Sequence, residues 1–362
     1  MLVFELERGD VLYAAFGFVT GEGSDAYYQA IAISEQLGDP EAPIRALDGL
    51  FGTHFNSGQF SKAIGASEQL IHVGESSGNL KALVIGLQFK GMSLFCQGEL
   101  EPARRYLERA LGYKDKADEV GSDFPSMSMI YLSWTMHILG YHQEALELFR
   151  EAEATARLQS PYRLAACLGN GCVLFAFREE SANIAQLAGE LLPLTQENGF
   201  NLWEKVARFF GGLAMTSADE KAVAVLSALE GEIGSEDQET DRSCYLGLLA
   251  KAFLRSGQLE KAAQTVENGL REANKIGEHY FTGALLNIRG EVELAGGSKN
   301  AAEASFRAAI AFAKRQSARS WELRAANNLA NLLRSHGQSE AALELQPIND
   351  WFLAATARSG GT

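Results

Sequence analysis

The phrase Gly-x4-Ala recurs along this chain at a nearly constant interval, and no other feature limits its folding as strongly. It stands at Gly58/Ala63, Gly98/Ala103, Gly140/Ala145, Gly257/Ala262, Gly297/Ala302 and Gly337/Ala342. Successive glycines lie 40, 42, 117, 40 and 40 residues apart, and the long gap holds three periods of 39. Two further units therefore lie inside it, with turns expected at Glu180/Ala185 and Ser217/Ala222, and one more precedes the series at Gly21/Ala26. Nine periods of about 40 residues account for the 362 residues of the chain. A repeat of this size is one supersecondary motif that buries its apolar face only against its neighbours, so the period predicts a solenoid.

The flanks of the phrase have helical spacing. Around Gly98, Leu87, Gly91 and Leu94 lead into the turn, and Ala103, Leu107 and Ala110 follow it. The glycine then ends one helix in a left-handed cap, and the alanine sits where the antiparallel partner helix crosses closely. Units five and six lack the turn glycine, and residues 230–241 that follow carry six acids and no base. Local opening is expected to concentrate there.

Composition narrows the function. Hydrophobic residues make up 46% and charged residues 22%, the balance of a soluble folded protein. A net charge of −14 opposes the counterion release that drives binding to nucleic acid, so neither DNA nor RNA is an expected partner. No run approaches eighteen apolar residues, and the first eight residues already carry Glu5, Glu7 and Arg8, so no membrane span is expected and a cytoplasmic location is.

The chemistry of a catalyst is missing from the sequence. No Gly-x4-Gly-Lys-Ser/Thr cradle and no Gly-x-Ser-x-Gly elbow occurs, and the six histidines form no His-x3-His pair. His137 and His142 flank a predicted turn and are expected to be turn or surface histidines rather than metal ligands. Cys96, Cys167, Cys172 and Cys244 have no Cys-x-x-Cys spacing and are expected to be buried free thiols. No catalytic residue, metal or cofactor is expected.

The extended phrase Gly-x4-Ala-x3-Phe-x2-Ala at Gly140, Ala145, Phe149 and Ala152, and again at Gly297, Ala302, Phe306 and Ala309, resembles the tetratricopeptide pattern with lengthened helices. HEAT-like repeats share the period but lack the phrase. The segments Ser320 to Ala326, Ala304 to Ile310 and Trp351-Phe352 further resemble the C-terminal tetratricopeptide region of large bacterial signalling proteins. There such an array follows a STAND-type ATPase and a class III cyclase or DNA-binding domain. The resemblance implies an all-α, right-handed solenoid of about nine antiparallel helix hairpins over residues 1–346. Its turns fall near 21, 58, 98, 140, 180, 217, 257, 297 and 337, with a C-terminal cap and frayed tail over 347–362.

In tetratricopeptide arrays the first helix of each hairpin lines the concave side. Carried onto this sequence, the groove positions are Arg45, Asp48, Gln88, Trp134, His137, Asn170, Lys251, Asn287, Glu291, Arg324, Asn327 and Asn331. Asn and Arg there hold a peptide backbone or a carboxylate through fixed donors. Trp134 is either an aromatic anchor for a partner or a core residue packed on unit five. The resemblance implies a non-catalytic interaction and sensor module that binds a protein, peptide or small-molecule signal. Its occupancy is then read by an ATPase or cyclase domain of the same or a partner chain. The alternative is a structural scaffold that self-associates by stacking its repeat ends.

Overall fold

The computed structural model describes residues 1–16, 21–37, 41–120, 124–215, 240–335, 337 and 346–359. Every regular element among them is helical, and the helices pair as the period requires. Unit one pairs Leu2–Phe16 with Gly21–Leu37, unit two Ala42–Asn56 with Phe60–Ser77, and unit three Leu80–Cys96 with Leu100–Leu111. A 3-10 turn, Lys114–Lys116, and a one-turn helix, Ala117–Val120, fill the longer connection that follows. Unit four pairs Phe124–Leu139 with His142–Arg157, and unit five Pro161–Phe177 with Ser181–Asn198. Unit six contributes Asn201–Ala214; its expected second helix and the acidic stretch 230–239 lie outside the described residues. Units seven and eight pair Arg242–Arg255 with Leu259–Ile276 and Thr282–Ala295 with Lys299–Arg315. Unit nine begins with Arg319–Ser335, and the expected helix over 340–345 again falls outside the described residues.

Within the expected C-terminal cap, Pro347 stands in the first turn of a further helix, Gln346–Ser359. The missing N–H of proline is no loss there, because that donor has no partner inside a helix anyway. Trp351 in this helix packs edge-on against Tyr141, with ring centroids 5.9 Å apart.

The local signals act as the sequence suggests. Gly58, Gly98, Gly140, Gly257, Gly297 and Gly337 all have positive φ. Unit five shows what happens without glycine. The left-handed residue is Glu179, at φ 59°, one residue before the expected turn. The residue at the helix crossing is then Ile184, 3% exposed, while Ala185 faces solvent. Mid-helix glycines mark where the partner helix presses closest: a Cβ on Gly290 would lie 2.6 Å from the Phe306 ring, and one on Gly171 would lie 2.4 Å from Phe149.

The solenoid coils back on itself. The last carbonyls of a helix lack intrahelical partners, and in units two to five four of them are capped from units much later in the chain. Phe55 O accepts from Thr240 Oγ1 at 2.6 Å, and Cys96 O from His279 N at 2.7 Å. His137 O accepts from Ser320 Oγ at 2.5 Å, and Phe177 O from the Arg324 guanidinium. The four acceptors follow the repeat, and so do the first three donors. One superhelical turn thus brings units two to five against units seven to nine along a hydrogen-bonded seam.

Aromatic side chains fill the space behind that seam. Trp134, Phe177, Tyr280 and Trp321 are each no more than 1% exposed, and Phe177 lies 5.4 Å from Trp321 and 6.1 Å from Trp134. Each indole donates to a neighbouring unit, Trp134 Nε1 to Asn170 O at 3.1 Å and Trp321 Nε1 to Tyr280 O at 3.0 Å. Buried indoles need such partners. All four cysteines are buried and free.

Candidate functional site

A cleft lies where units five to nine meet. Its apolar walls include Phe177, Ile184, Leu248, Phe281, Ile288 and Trp321. Among the described residues Lys251, Arg255 and Arg324 are its lining cations, and Glu179 is its lining acid. Apolar walls with a few convergent polar groups are the usual make-up of a ligand pocket.

Glu179 organises the polar side. Its carboxylate lies 2.5 Å from Lys251 Nζ, 3.4 Å from Arg324 Nη1 and 3.5 Å from Arg255 Nη2. Burial alone would push its pKa up, yet Lys251, Arg324 and Arg255 together hold it below the usual glutamate value. Arg324 is fixed twice over, by its bond to Phe177 O and by its guanidinium lying 5.1 Å from the Trp321 ring centroid.

A second polar cluster borders the cleft. Asn287 is 4% exposed and donates to Glu291 Oε1 at 3.0 Å, while Asn328 Nδ2 donates to Asn287 Oδ1 at 3.0 Å and to Glu291 Oε1 at 2.9 Å. These bonds join units eight and nine and fix which way the Asn287 amide points.

Of the twelve sequence-predicted groove residues, the structure brings Lys251, Asn287 and Arg324 to the cleft, with Glu291 bonded to Asn287 beside it. Gln88, Trp134 and His137 lie inside the fold rather than on a groove surface: neighbouring units pack on Gln88 and Trp134, and unit nine closes over His137. Gln88 accepts from Ser128 Oγ at 2.9 Å. Trp134 is core. His137, expected at a turn or the surface, is 3% exposed with neither ring nitrogen in hydrogen-bonding geometry, and it stacks on His142 with centroids 4.6 Å apart. Asn170 donates to Ala166 O in its own helix. Arg45 pairs with Asp10, and Arg45 and Asp48 are exposed on unit two, away from the cleft. Asn327 and Asn331 are exposed on unit nine.

The sequence reading missed Glu179, Arg255 and Asn328. Only Glu179 left a trace: a charged residue stands next to where the repeat demands glycine. Asn328 is one residue from the counted position, an error of register that a backbone resolves and a period does not. Among the described residues no group of three or more His, Cys, Asp or Glu is placed to hold a metal ion.

This architecture is a tetratricopeptide-like, all-α, right-handed solenoid. The solved structure of a Rap protein complexed with Competence and Sporulation Factor shares it with a TM-score of 0.64, covering 98% of this chain and 99% of that one at 11% identity. A tetratricopeptide repeat protein from Parabacteroides merdae matches at TM-score 0.42 and 13% identity, over 78% of this chain and 98% of that one. No protein-family model matches the chain. Curated relatives are HTH-type transcriptional regulators of Mycobacterium bovis and Mycobacterium tuberculosis, 28% identical over 291 residues, which cover 78% of this chain and 31% of each relative. The chain thus spans about a third of the length of the curated relatives it matches. Among the described residues no helix is long and apolar enough to cross a membrane.

Proposed function

We propose that the chain is the sensor module of a bacterial signalling regulator, and that the cleft between units five and nine receives its signal, a peptide, protein segment or small molecule. The observation that carries this reading is the Glu179 carboxylate held by Lys251, Arg255 and Arg324 at the mouth of an aromatic cleft. Charged groups clustered beside an apolar pocket are a signature of functional sites. The groups come from three units that only the closed superhelix brings together, so a ligand there changes the energy of closure. That gives occupancy a route to an output domain, of the ATPase, cyclase or DNA-binding kind, in the same or a partner chain. The likeness to HTH-type regulators supports an output of this class, and a Rap protein of the same fold has been solved with a bound factor. A cytoplasmic location belongs to the same proposal.

The test is a thermal-shift screen of peptides and metabolites on the wild type, repeated with Asn287→Ala and Lys251→Met. Compounds that stabilise all three proteins equally do not bind in the cleft, and a screen yielding only such compounds refutes the site.

A second reading, self-association through the repeat ends, is favoured by one observation. Val3 and Phe4 on the first helix are 62% and 63% exposed, adjacent apolar side chains that a second copy of the chain would cover. Sedimentation over a wide concentration range decides it, because a monomer at every concentration removes this reading.

A further inference from the structure

Among the described lining residues of the cleft the charges do not balance. Lys251, Arg255 and Arg324 face it, and the acid among those residues is Glu179. On a chain of net charge −14 these residues make a local cluster of positive charge, contributed by units seven and nine. The geometry around the carboxylate is that of a bound ligand, with one ammonium and two guanidinium groups converging within 3.5 Å of its two oxygens. Guanidinium and ammonium groups recognise carboxylates by such charge-assisted hydrogen bonds.

We propose that Glu179 is an internal stand-in for the ligand, and that the cleft binds a molecule carrying a carboxylate next to an aromatic or large apolar group. The ligand carboxylate replaces that of Glu179 on Lys251, Arg255 and Arg324. Its apolar group lies against Phe281, Trp321 and Leu248. This deepens the preceding proposal and rests on its choice of cleft.

Two features of Glu179 suit a group that gives way. It occupies the turn between the helices Pro161–Phe177 and Ser181–Asn198, so its side chain can swing outward without disturbing either helix, and its side chain is 37% exposed. It also holds a left-handed backbone conformation, φ 59°, at a position where the other regular units have glycine. A non-glycine residue is disfavoured there by backbone sterics, and the charge of the side chain is what the site gains in exchange.

The carboxylate has two natural sources, the C-terminus of a peptide or a free organic acid. The probes are N-acetyl-phenylalanine, its carboxamide and a pentapeptide ending in the same phenylalanine. They are titrated up to tens of millimolar into the full chain, and the methyl resonances of Ile184, Leu248 and Ile288 are followed. Saturable shifts with the acid and none with the carboxamide are expected. Glu179→Gln should bind the acid about tenfold more tightly, because the competing carboxylate is gone while all three cations remain. Lys251→Met should bind it more weakly. A pentapeptide tighter than the single residue indicates a peptide terminus as the natural source, and a weaker one indicates a free acid.

Equal shifts with acid and carboxamide overturn the carboxylate assignment and leave the cleft standing as a binding site. Equal affinity of wild type and Glu179→Gln overturns the role of Glu179 as stand-in. An absence of saturable shifts in both proteins overturns the proposal as a whole.

Discussion

The hydroxyl of Ser320 donates to the main-chain carbonyl of His137 at 2.5 Å across 183 residues of sequence, and the same oxygen lies 2.7 Å from His142 Nε2. One hydroxyl thus caps the helix that ends unit four's first arm and orders the imidazole that starts its second. Ser320→Ala leaves both groups without this partner in a buried place. The expected cost is about 2 kcal/mol, measured by urea denaturation, with amide exchange of 137–142 rising more than that of units one and two.

Turn glycines should differ in what they tolerate. Gly257 has positive φ and open space around it, whereas a Cβ on Gly140 would lie 2.6 Å from the Trp351 ring and 3.1 Å from Arg319. Gly257→Ala is expected to cost about 1 kcal/mol from backbone strain alone. Gly140→Ala should cost clearly more, because the C-terminal helix must shift as well. Thermal melts of the two variants, alongside Trp351→Ala combined with Gly140→Ala, separate the two terms: the extra cost of Gly140→Ala should shrink when Trp351 is already gone.

Gly290→Val would drive two methyl groups into Phe306, whose ring lies 2.6 Å from where a Cβ would stand. A loss of about 3 kcal/mol is expected from overpacking. Phe306→Leu in the same chain should recover part of it, and a stability unchanged by Gly290→Val would contradict the close helix contact.

Stability should follow an unusual course with pH. Burial, then the charges of Arg178 and Arg324, lower the pKa of His142 from 6.5 to about 4, and burial, then the neighbouring His142, holds that of His137 well below 6.5. These imidazoles bind fewer protons folded than unfolded, so their contribution is complete above pH 6.5 and is lost as the pH falls toward 4. Glu278 acts in the opposite sense. It titrates as a pair with Asp241: burial, then the charge of Asp241, holds Glu278 well above the ordinary glutamate range, so the folded pair keeps a proton that the unfolded chain releases, and stability falls as pH rises above that range. The two trends offset each other below pH 6.5, and a decline is expected from there to pH 8. Glu278 accepts from Ser243 Oγ at 2.5 Å and from Asp241 N at 2.6 Å; a glutamine keeps the bond from Asp241 N through its oxygen and donates its amide to Ser243 Oγ instead. Glu278→Gln should therefore flatten the decline and gain about 1 kcal/mol at pH 8, measured by denaturation at a series of pH values.

The parts legible in sequence were those set by short-range rules. The glycine turns, the helix pairs around them and the buried thiols follow from spacing, because a helical hairpin is specified within its own forty residues. Asn287, Lys251 and Arg324 were legible as polar residues on first helices. Trp134 is legible only as core or groove, because its burial is set by how it packs on units three and five, and His137 only as a turn, surface or groove residue, because its burial depends on Trp321 and Ser320, far along the chain.

What the sequence by itself determined, then, is the repeat: a chain of hairpins, each with a known inner helix. Only the tertiary structure decided where one turn of the superhelix meets the next. That meeting depends on small rotations accumulated over several units, and no single unit encodes their sum. The sum brings Thr240, His279, Ser320 and Arg324 to carbonyls at the helix ends of units two to five, closes the groove over His137, and leaves it open beside Glu179. The departure of unit five from glycine, a blemish in the period, is where the structure sets a lining carboxylate of the cleft against three cations.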